Sequence, residues 1–220
     1  MTITYHGHST FKIRGKAGTV VTDPYDDYIG LTLPKMSADI VTVSHDHKDH
    51  NEIKTIVGTA RRKNPFIVTD AGEYEVGGIS VFGVQTFHDA NGGVERGTNM
   101  VFTTLVDGMR ICHLGDLGHE LTPKQLEQIG SVDVLLCPVG GTFTINPELA
   151  VKTIRAIEPG IVIPMHYKTD KHNNDVFGEL KTLEDFLKVY GLSPAAVPKL
   201  TLEGKSSLPE ETELVVLGEV

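Results

Sequence analysis

The chain has few cysteines and no tryptophan, and no stretch of it is both long and apolar. Cys112 and Cys137 are its two cysteines. Both lie in apolar runs, which predicts buried free thiols rather than a disulfide. A membrane-spanning helix needs roughly 20 apolar residues, and no run approaches that length. The N-terminus lacks the basic and then apolar segments of a secretory signal. These absences indicate a protein of the reducing cytoplasm with no membrane partner.

Positive charge is also scarce, since the chain has 20 Lys and Arg residues but 29 Asp and Glu residues, which gives a net charge of −9. A nucleic-acid backbone would be repelled by such a surface, and the largest basic cluster is Arg61-Arg62-Lys63. A small-molecule substrate is therefore expected instead, and a homo-oligomer stays possible. The 220 residues, 40% of them hydrophobic, predict a single globular domain over residues 1–220 with a sizeable core.

The first half of the chain is typical of short strands separated by glycines and turns. Ile53, Ile56, Val57 and Ala60 recur at helical spacing, which predicts one helix over about residues 51–62. Asp107-Gly108 between two strand-like runs predicts a two-residue hairpin. The strands predicted in this half cover residues 2–5, 10–14, 19–23, 39–44, 66–69, 79–84 and 100–106.

The second half alternates strands with helices. Thr122 and Gln125 can form a capping box around Pro123, and Gly130 can end that helix. Two more helices are predicted, from Asn146 to about residue 158 and from about residue 180 to 190, with strands over 132–139, 161–165 and 214–217. About a dozen strands exceed what one flat sheet accommodates. Two packed sheets with helices outside are therefore expected.

Histidine is abundant, and three of the histidines lie within six consecutive residues. The segment His45-Asp46-His47-Lys48-Asp49-His50 follows the predicted strand 39–44. Imidazole and carboxylate ligands suit Zn²⁺, with Mn²⁺, Fe²⁺ or Ni²⁺ as alternatives. One ion cannot easily take all four of the donors His45, His47, Asp49 and His50, whose alternating positions indicate two neighbouring ions.

Three further donors follow predicted strands elsewhere. His88 comes after GVQTF, Asp116 after RICHLG and His166 after IVIPM. Each alone would be an ordinary polar residue at a strand end. Together they supply the donors that two ions still need.

This pattern, HxHxDH followed by His88, Asp116 and His166, resembles that of the metallo-β-lactamase-fold superfamily from about residue 5 to residue 170. The segments GHSTF (7–11), TDP (22–24), HLGD (113–116) and PMHY (164–167) are similar to a subgroup of metal-dependent hydrolases related to the bacterial ascorbate-6-phosphate lactonase.

The resemblance implies an α/β fold of the four-layer α+β type: an αββα sandwich of two mixed β-sheets flanked by helices. It implies a hydroxide, bound by two divalent ions, that attacks a lactone, another carboxylic ester or a phosphodiester, with Asp49 relaying a proton. The ions would be Zn²⁺ first, with Mn²⁺, Ni²⁺ or Fe²⁺ as alternatives. The implied ligands are His45, His47 and His88 for the first ion, Asp49, His50 and His166 for the second, and Asp116 between them.

Other histidines and one further aspartate surround this set. Asp23 is either a turn residue or a carboxylate that orients a ligand histidine. His8 faces either the substrate or its own loop, and His113 is expected to support the site rather than bind metal. Gly140-Gly141-Thr142 is more typical of a tight turn than of a phosphate loop. The surface or loop histidines are predicted to be His6, His119 and His172.

Three competing functions stay open at this point. A mononuclear iron oxygenase of the persulfide-oxidising type uses a related His/Asp set. A nuclease or phosphodiesterase is another alternative, although the acidic charge and the length of the chain disfavour the RNA-processing branch. A non-catalytic module would close its metal site with four ligands, and the larger donor set argues against it.

Overall fold

Two β-sheets lie face to face in the computed structural model, which describes residues 1–220. The strands are β1 (Thr2–Tyr5), β2 (Phe11–Arg14), β3 (Thr19–Thr22), β4 (Met36–Ser37), β5 (Ile40–Thr42), β6 (Ile56–Val57), β7 (Phe66–Val68), β8 (Gly72–Val76), β9 (Ile79–Phe87), β10 (Thr98–Val106), β11 (Met109–His113), β12 (Val134–Pro138), β13 (Ile161–Met165), β14 (Leu200–Thr201) and β15 (Glu213–Leu214). The helices are α1 (Pro123–Ile129), α2 (Pro147–Ile157), α3 (Asn174–Phe177) and α4 (Leu183–Tyr190).

Strand directions bring several strand ends to one edge of the sandwich. The first sheet has the order β14-β1-β2-β3-β5-β7 and is parallel from β3 to β7. The second sheet has the order β15-β13-β12-β11-β10-β9-β8 and is parallel from β15 to β11. Since β1 runs parallel to β3, and β9 runs parallel to β11, their carboxyl ends also lie at this edge. Loops that follow these ends build the site, as is usual for open α/β sheets.

The core lies between the sheets and beneath the helices. Alternate residues of β1 and β2 point inward, among them Ile3, Tyr5, Phe11 and Ile13. All residues of β12 and β13 are buried because these parallel strands are covered on both faces. Helices α1, α2 and α4 supply apolar side chains to the same core, including Ile154.

Helix boundaries follow their capping residues. The predicted capping box of Thr122 and Gln125 begins α1, and Gly130 ends it. Asn146 accepts the Leu149 amide at the start of α2. Helix α4 begins at a second capping box, later than the predicted start near residue 180. None of these helices has the length and apolar character that crossing a bilayer requires.

The helix predicted over residues 51–62 is wrong. The chain instead forms a single 3₁₀ turn at Ile53–Thr55 and then β6, which pairs in parallel with β4. The segment is rich in β-branched side chains, which disfavour helix. Gly58 then passes so close to the Arg62 carbonyl that a Cβ would collide with it. The outer face of the first sheet is consequently covered by the irregular segment 24–38 rather than by a long helix.

Most predicted strands are present with boundaries that differ by a few residues. The Asp107-Gly108 hairpin joins β10 and β11, and both cysteines are buried and free, as predicted. Strand β8 was not predicted, since its residues are mostly exposed and carry no apolar alternation. The last predicted strand, 214–217, is confined to β15 at Glu213–Leu214. The two-sheet sandwich is confirmed. Helices α1 and α2 contact strands β9 and β12 of the second sheet, and the first sheet is covered by segment 24–38 together with Phe177 of α3.

Candidate metal centre

The seven predicted donors come from loops at the shared edge of the two sheets. The first sheet contributes the segment after β5, which carries His45, His47, Asp49 and His50. The second sheet contributes the residues that follow β9, β11 and β13, which are His88, Asp116 and His166. Six of the seven side chains are buried, and His47 is exposed. The structure therefore brings the whole predicted set together.

Asp116 lies at the middle of these donors. Its Oδ2 is 3.2 Å from Nε2 of His166, 3.3 Å from Nε2 of His50, 3.4 Å from Nε2 of His88 and 3.9 Å from Nε2 of His45. Asn99 accepts the Asp116 amide at 2.8 Å and thereby fixes the start of this loop. Two ligands of one tetrahedral Zn²⁺ lie about 3.3 Å apart when each is about 2.0–2.1 Å from the ion. The spacing around Oδ2 fits such ligands.

Unpaired buried atoms also indicate a bound cation. Nε2 of His45, Nε2 of His50, Oδ1 of Asp116 and both ring nitrogens of His166 are buried without a hydrogen-bond partner in the chain. Buried polar atoms are normally paired. Three of them, the Nε2 atoms of His45, His50 and His166, lie within 3.9 Å of Asp116 Oδ2, which fits ligands whose partner is a metal ion.

Asp23 sets the direction of two of these rings. Its carboxylate accepts the Ser44 amide at 2.8 Å, the Ser44 hydroxyl at 2.5 Å and Nδ1 of His50 at 2.8 Å. Because the Ser44 hydroxyl donates to Asp23, its oxygen is free to accept Nδ1 of His45 at 2.9 Å. Both rings thereby carry a proton on Nδ1 and direct Nε2 towards the centre, where that nitrogen can serve as the metal ligand.

The donor atoms form overlapping groups with mutual separations within 4.8 Å. One group is His45, His47 and His88, and another is His45, His50 and Asp116. A third contains Asp49, His50 and His166 together with His8. The first and third groups match the two ligand sets that the family resemblance implies, with His8 as an addition.

Burial and charge perturb these groups in opposite directions. Burial and the nearby His50 lower the pKa of His45, and burial lowers that of His88. Burial would also lower the pKa of His50, but the carboxylates of Asp116 and Asp49 outweigh it and raise that pKa. Burial opposes ionisation of both carboxylates, yet the surrounding imidazoles hold their pKa values well below the usual range. The carboxylates are therefore ionised, which is the form that binds a cation.

Two histidines near the centre have hydrogen bonds that define their roles. Nδ1 of His113 accepts the Gly115 amide at 3.0 Å and its Nε2 donates to the Ser9 carbonyl at 2.9 Å, so neither nitrogen is available to a metal. His172 lies in the loop between β13 and α3, which agrees with the predicted loop position, but its side chain is buried rather than at the surface and its Nε2 is 3.2 Å from Nδ1 of His8.

The backbone is strained around the centre. Six non-glycine residues have positive φ, and three of them belong to the site: His8 (53°), Asp23 (37°) and His166 (54°). The His8 carbonyl accepts the His166 amide at 2.8 Å and the Tyr5 hydroxyl at 3.0 Å, which holds two of these residues together. Such conformations cost free energy and persist where surrounding contacts impose them.

A cavity of about 480 Å³ opens above His47, Asp49, His88 and Asp116. The sequence had not singled out the other residues of its wall, which are Tyr28, Lys48, Glu95, Arg96, Phe143, Val176 and Phe177. Lys48 belongs to the metal-ligand loop itself, and the others lie on the turn Asp27–Ile29, the β9–β10 loop, the β12–α2 loop and helix α3, none of which carries a motif. The aromatic character of Tyr28, Phe143 and Phe177 could have suggested a binding role.

Comparison with known proteins agrees with this geometry. Residues 2–166, three quarters of the chain, match the family model described as the beta-lactamase superfamily domain. The chain belongs to the metallo-β-lactamase superfamily.

Relatives narrow the class further. A UPF0173 metal-dependent hydrolase of Pelotomaculum thermopropionicum is 31% identical over 197 residues, covering 77% of this chain and 85% of the relative. A crystal structure from Thermotoga maritima, proposed to be a Zn-dependent hydrolase of the metallo-β-lactamase superfamily, is 39% identical with a TM-score of 0.79, covering 98% of this chain and 97% of that one. Igni18, a metallo hydrolase of Ignicoccus hospitalis, shares the fold with a TM-score of 0.65 at 18% identity over 92% of this chain and 99% of its own. The protein is thus a metal-dependent hydrolase.

Proposed function

We propose that the protein is a dinuclear hydrolase that cleaves a lactone or another carboxylic ester of a small molecule, with phosphodiesters as the second substrate class. The proposal rests on one observation, which is two sets of donors arranged around a shared carboxylate. The first set is His45, His47 and His88, the second is Asp49, His50 and His166, and Asp116 lies between them.

The shared carboxylate is the feature that favours two ions over one. Two divalent cations repel each other at short range, so an anion between them lowers the energy of the pair. Asp116 Oδ2 is close to rings of both sets, including His88 at 3.4 Å and His166 at 3.2 Å. When bound, such a pair of ions supplies a hydroxide near neutral pH and polarises the oxygen of the electrophile.

Asp49 and Tyr28 supply polar groups to the cavity. Asp49 is ionised and can accept a proton from the attacking water and return it to the leaving group. The Tyr28 phenol lies beside it, and burial together with the Asp49 charge raises the pKa of this phenol. Tyr28 therefore keeps its proton at neutral pH and can donate a hydrogen bond to a substrate oxygen.

The cavity wall supports a substrate with an apolar part and an anionic part. The ring centroids of Phe143 and Phe177 are 5.8 Å apart, and the two rings form an apolar wall with Val176. The Arg96 guanidinium lies over the Phe143 ring at 5.6 Å. Its ion pair with Glu95 is long, 3.9 Å from Nη1 to Oε2, so its donors are free for a carboxylate or phosphate.

Asp89 holds the loop that carries Arg96. Its carboxylate accepts the amides of Asn91, Gly93, Glu95 and Arg96 at 2.8–3.0 Å. These bonds lower the pKa of Asp89 to about 2 although desolvation opposes them. The rim of the cavity is consequently ordered before a substrate arrives, which favours binding.

The test is a hydrolysis screen on protein whose metal content has been measured. Lactones, thioesters and phosphodiesters would be compared with and without an anionic group, and Asp116→Ala would report the background. We expect two ions per chain and turnover of a lactone or ester. A plateau at one iron with oxygen consumption would instead identify the oxygenase alternative, and turnover confined to phosphodiesters would replace the first substrate class by the second.

A further inference from the structure

Two buried histidines form a chain of hydrogen bonds behind the Asp49 carboxylate. Nδ1 of His172 is 3.1 Å from the Thr169 amide nitrogen and 3.0 Å from the Thr169 hydroxyl. Nε2 of His172 is 3.2 Å from Nδ1 of His8, and Nε2 of His8 is 3.2 Å from Oδ2 of Asp49. Both rings are almost fully buried. Nothing in the proposed reaction accounts for His172.

The Thr169 amide decides where the protons of this chain lie. A backbone N–H can only donate, so Nδ1 of His172 accepts and the proton of that ring is on Nε2. That proton is donated to Nδ1 of His8, so the proton of His8 is also on Nε2. His8 then donates to Oδ2 of Asp49. One main-chain group therefore sets the direction of three hydrogen bonds.

This direction separates two roles for His8. Its Nε2 is near the donor atoms of Asp49 and His166, which by distance alone would make it an additional metal ligand. A metal on Nε2 would move the proton to Nδ1 and then require Nδ1 of His172 to carry a proton. The N–H on Nδ1 of His172 would then face the N–H of the Thr169 amide. Two buried hydrogen-bond donors would point at each other, which is unfavourable.

We propose that His172 and His8 are positioning residues that hold the Asp49 carboxylate, and that His8 is not a metal ligand. The inference rests on the proposed role of Asp49 as a ligand and proton acceptor. The His8 hydrogen bond limits rotation of the carboxylate and stabilises its ionised form. Burial lowers the pKa of His8 to about 3 and that of His172 to about 4, which agrees with two neutral rings.

The direct test is nitrogen-15 NMR of the histidine rings in wild-type protein, before and after Zn²⁺ loading. We expect both rings to be the Nε2–H tautomer in both states. A His8 ring that is protonated on Nδ1 in the Zn²⁺-loaded protein would make it a ligand and overturn the proposal. This measurement needs no substrate, so it stands whether or not the protein hydrolyses esters.

Variants of His172 supply the second test. His172→Leu removes the donor to His8, and we expect the weaker-binding Zn²⁺ to lose about 10–100-fold in affinity against a competing chelator, with kcat lowered and KM little changed. His172→Gln can keep an N–H near the position of Nε2 and should restore most of both. His6→Leu is the matched control, because His6 is half-buried and bonds Thr4 rather than the centre.

The outcomes separate a positioning role from a purely structural one. If His172→Leu and His172→Gln lose the same thermal stability but only the former loses metal affinity, the positioning role is supported. If His172→Leu retains wild-type affinity and kcat, the proposal is wrong. Should His172→Leu fail to fold, the ring tautomers of the wild-type protein still decide the matter. If the wild-type protein does not hydrolyse esters, that result would contradict only the proposed function.

Discussion

Replacing Asp23 with Asn would exchange a buried carboxylate that accepts three hydrogen bonds for an amide that is nearly the same shape. Its partners are the Ser44 amide, the Ser44 hydroxyl and Nδ1 of His50. The amide has one acceptor oxygen, and its NH₂ group must face at least one of these donors. Through Ser44 the same change reaches His45, so rings of both donor sets lose their fixed direction.

The magnitude follows from those contacts. Losing a partner that orients a ligand histidine typically costs 10–100-fold in metal affinity, or about 1.4–2.7 kcal/mol. Loss of hydrogen bonds to a buried charge costs the metal-free fold about 1.5–3 kcal/mol. For a chain of this size that lowers Tm by about 3–12 °C. We expect affinity to fall for both ions, because Asp23 supports His45 as well as His50.

Chelator competition and thermal unfolding of the metal-free protein measure the two effects separately. Asp39→Asn is a matched control, since Asp39 is a buried carboxylate at the opposite end of β5 that accepts the Thr19 amide and the Thr59 hydroxyl. The control should lose folding stability and keep its metal affinity. If Asp23→Asn binds both ions as tightly as wild type, the argument that this carboxylate aims the rings is refuted.

Four further predictions concern the centre and its rim. Metal-saturated protein should contain two ions per chain by elemental analysis, and Asp116→Ala should lose metal and turnover while remaining folded by circular dichroism; retention of both ions would remove Asp116 as the bridge. In saturating metal, turnover of His47→Ala should partly recover and that of Asp49→Asn should not, since excess ion refills a weakened site but cannot replace a proton acceptor; full recovery of the latter would leave the acceptor unassigned. Arg96→Gln should raise KM about 10-fold or more for anionic esters, as expected for a lost charged hydrogen bond, while neutral esters of the same acyl group serve as the control. In metal-free protein the pKa of His172 is about 4, below its unfolded value near 6.5. As the pH falls, the unfolded state therefore binds the proton first, and the free energy of unfolding should decrease by up to about 1.4 kcal/mol per pH unit between pH 6.5 and 4. Urea titrations should show a shallower pH dependence for His172→Gln.

The ligand set was predictable because its members share a local signal. Each of His45, His88, Asp116 and His166 lies just beyond a predicted strand, and parallel strands bring such positions to one edge. The helix predicted over 51–62 failed because apolar spacing alone cannot distinguish a helix from a turn followed by a short strand. In this segment the pairing of β6 with β4 and the close approach of Gly58 to the Arg62 carbonyl determine the structure.

Residues that act through main-chain contacts carried no signal in the sequence. Asp89 orders the rim through four amides, and His172 takes its direction from one. Asn99 is placed by a strand pairing and by the Asp116 amide. Such partners are defined only once the chain is folded, because the sequence does not distinguish these Asp, His and Asn residues from others that have no such contact.

The left-handed backbone at His8, Asp23 and His166 has a consequence for engineering. Glycine would adopt these φ values of 53°, 37° and 54° without the penalty of a side chain, which is about 1–2 kcal/mol for other residues. Each position instead carries a side chain that faces the centre. Substitutions to glycine that are chosen to relieve this backbone strain would therefore replace side chains that the metal centre needs. Stability and activity are opposed at these three positions, and stabilising changes belong instead on the solvent-facing residues of helices α2 and α4.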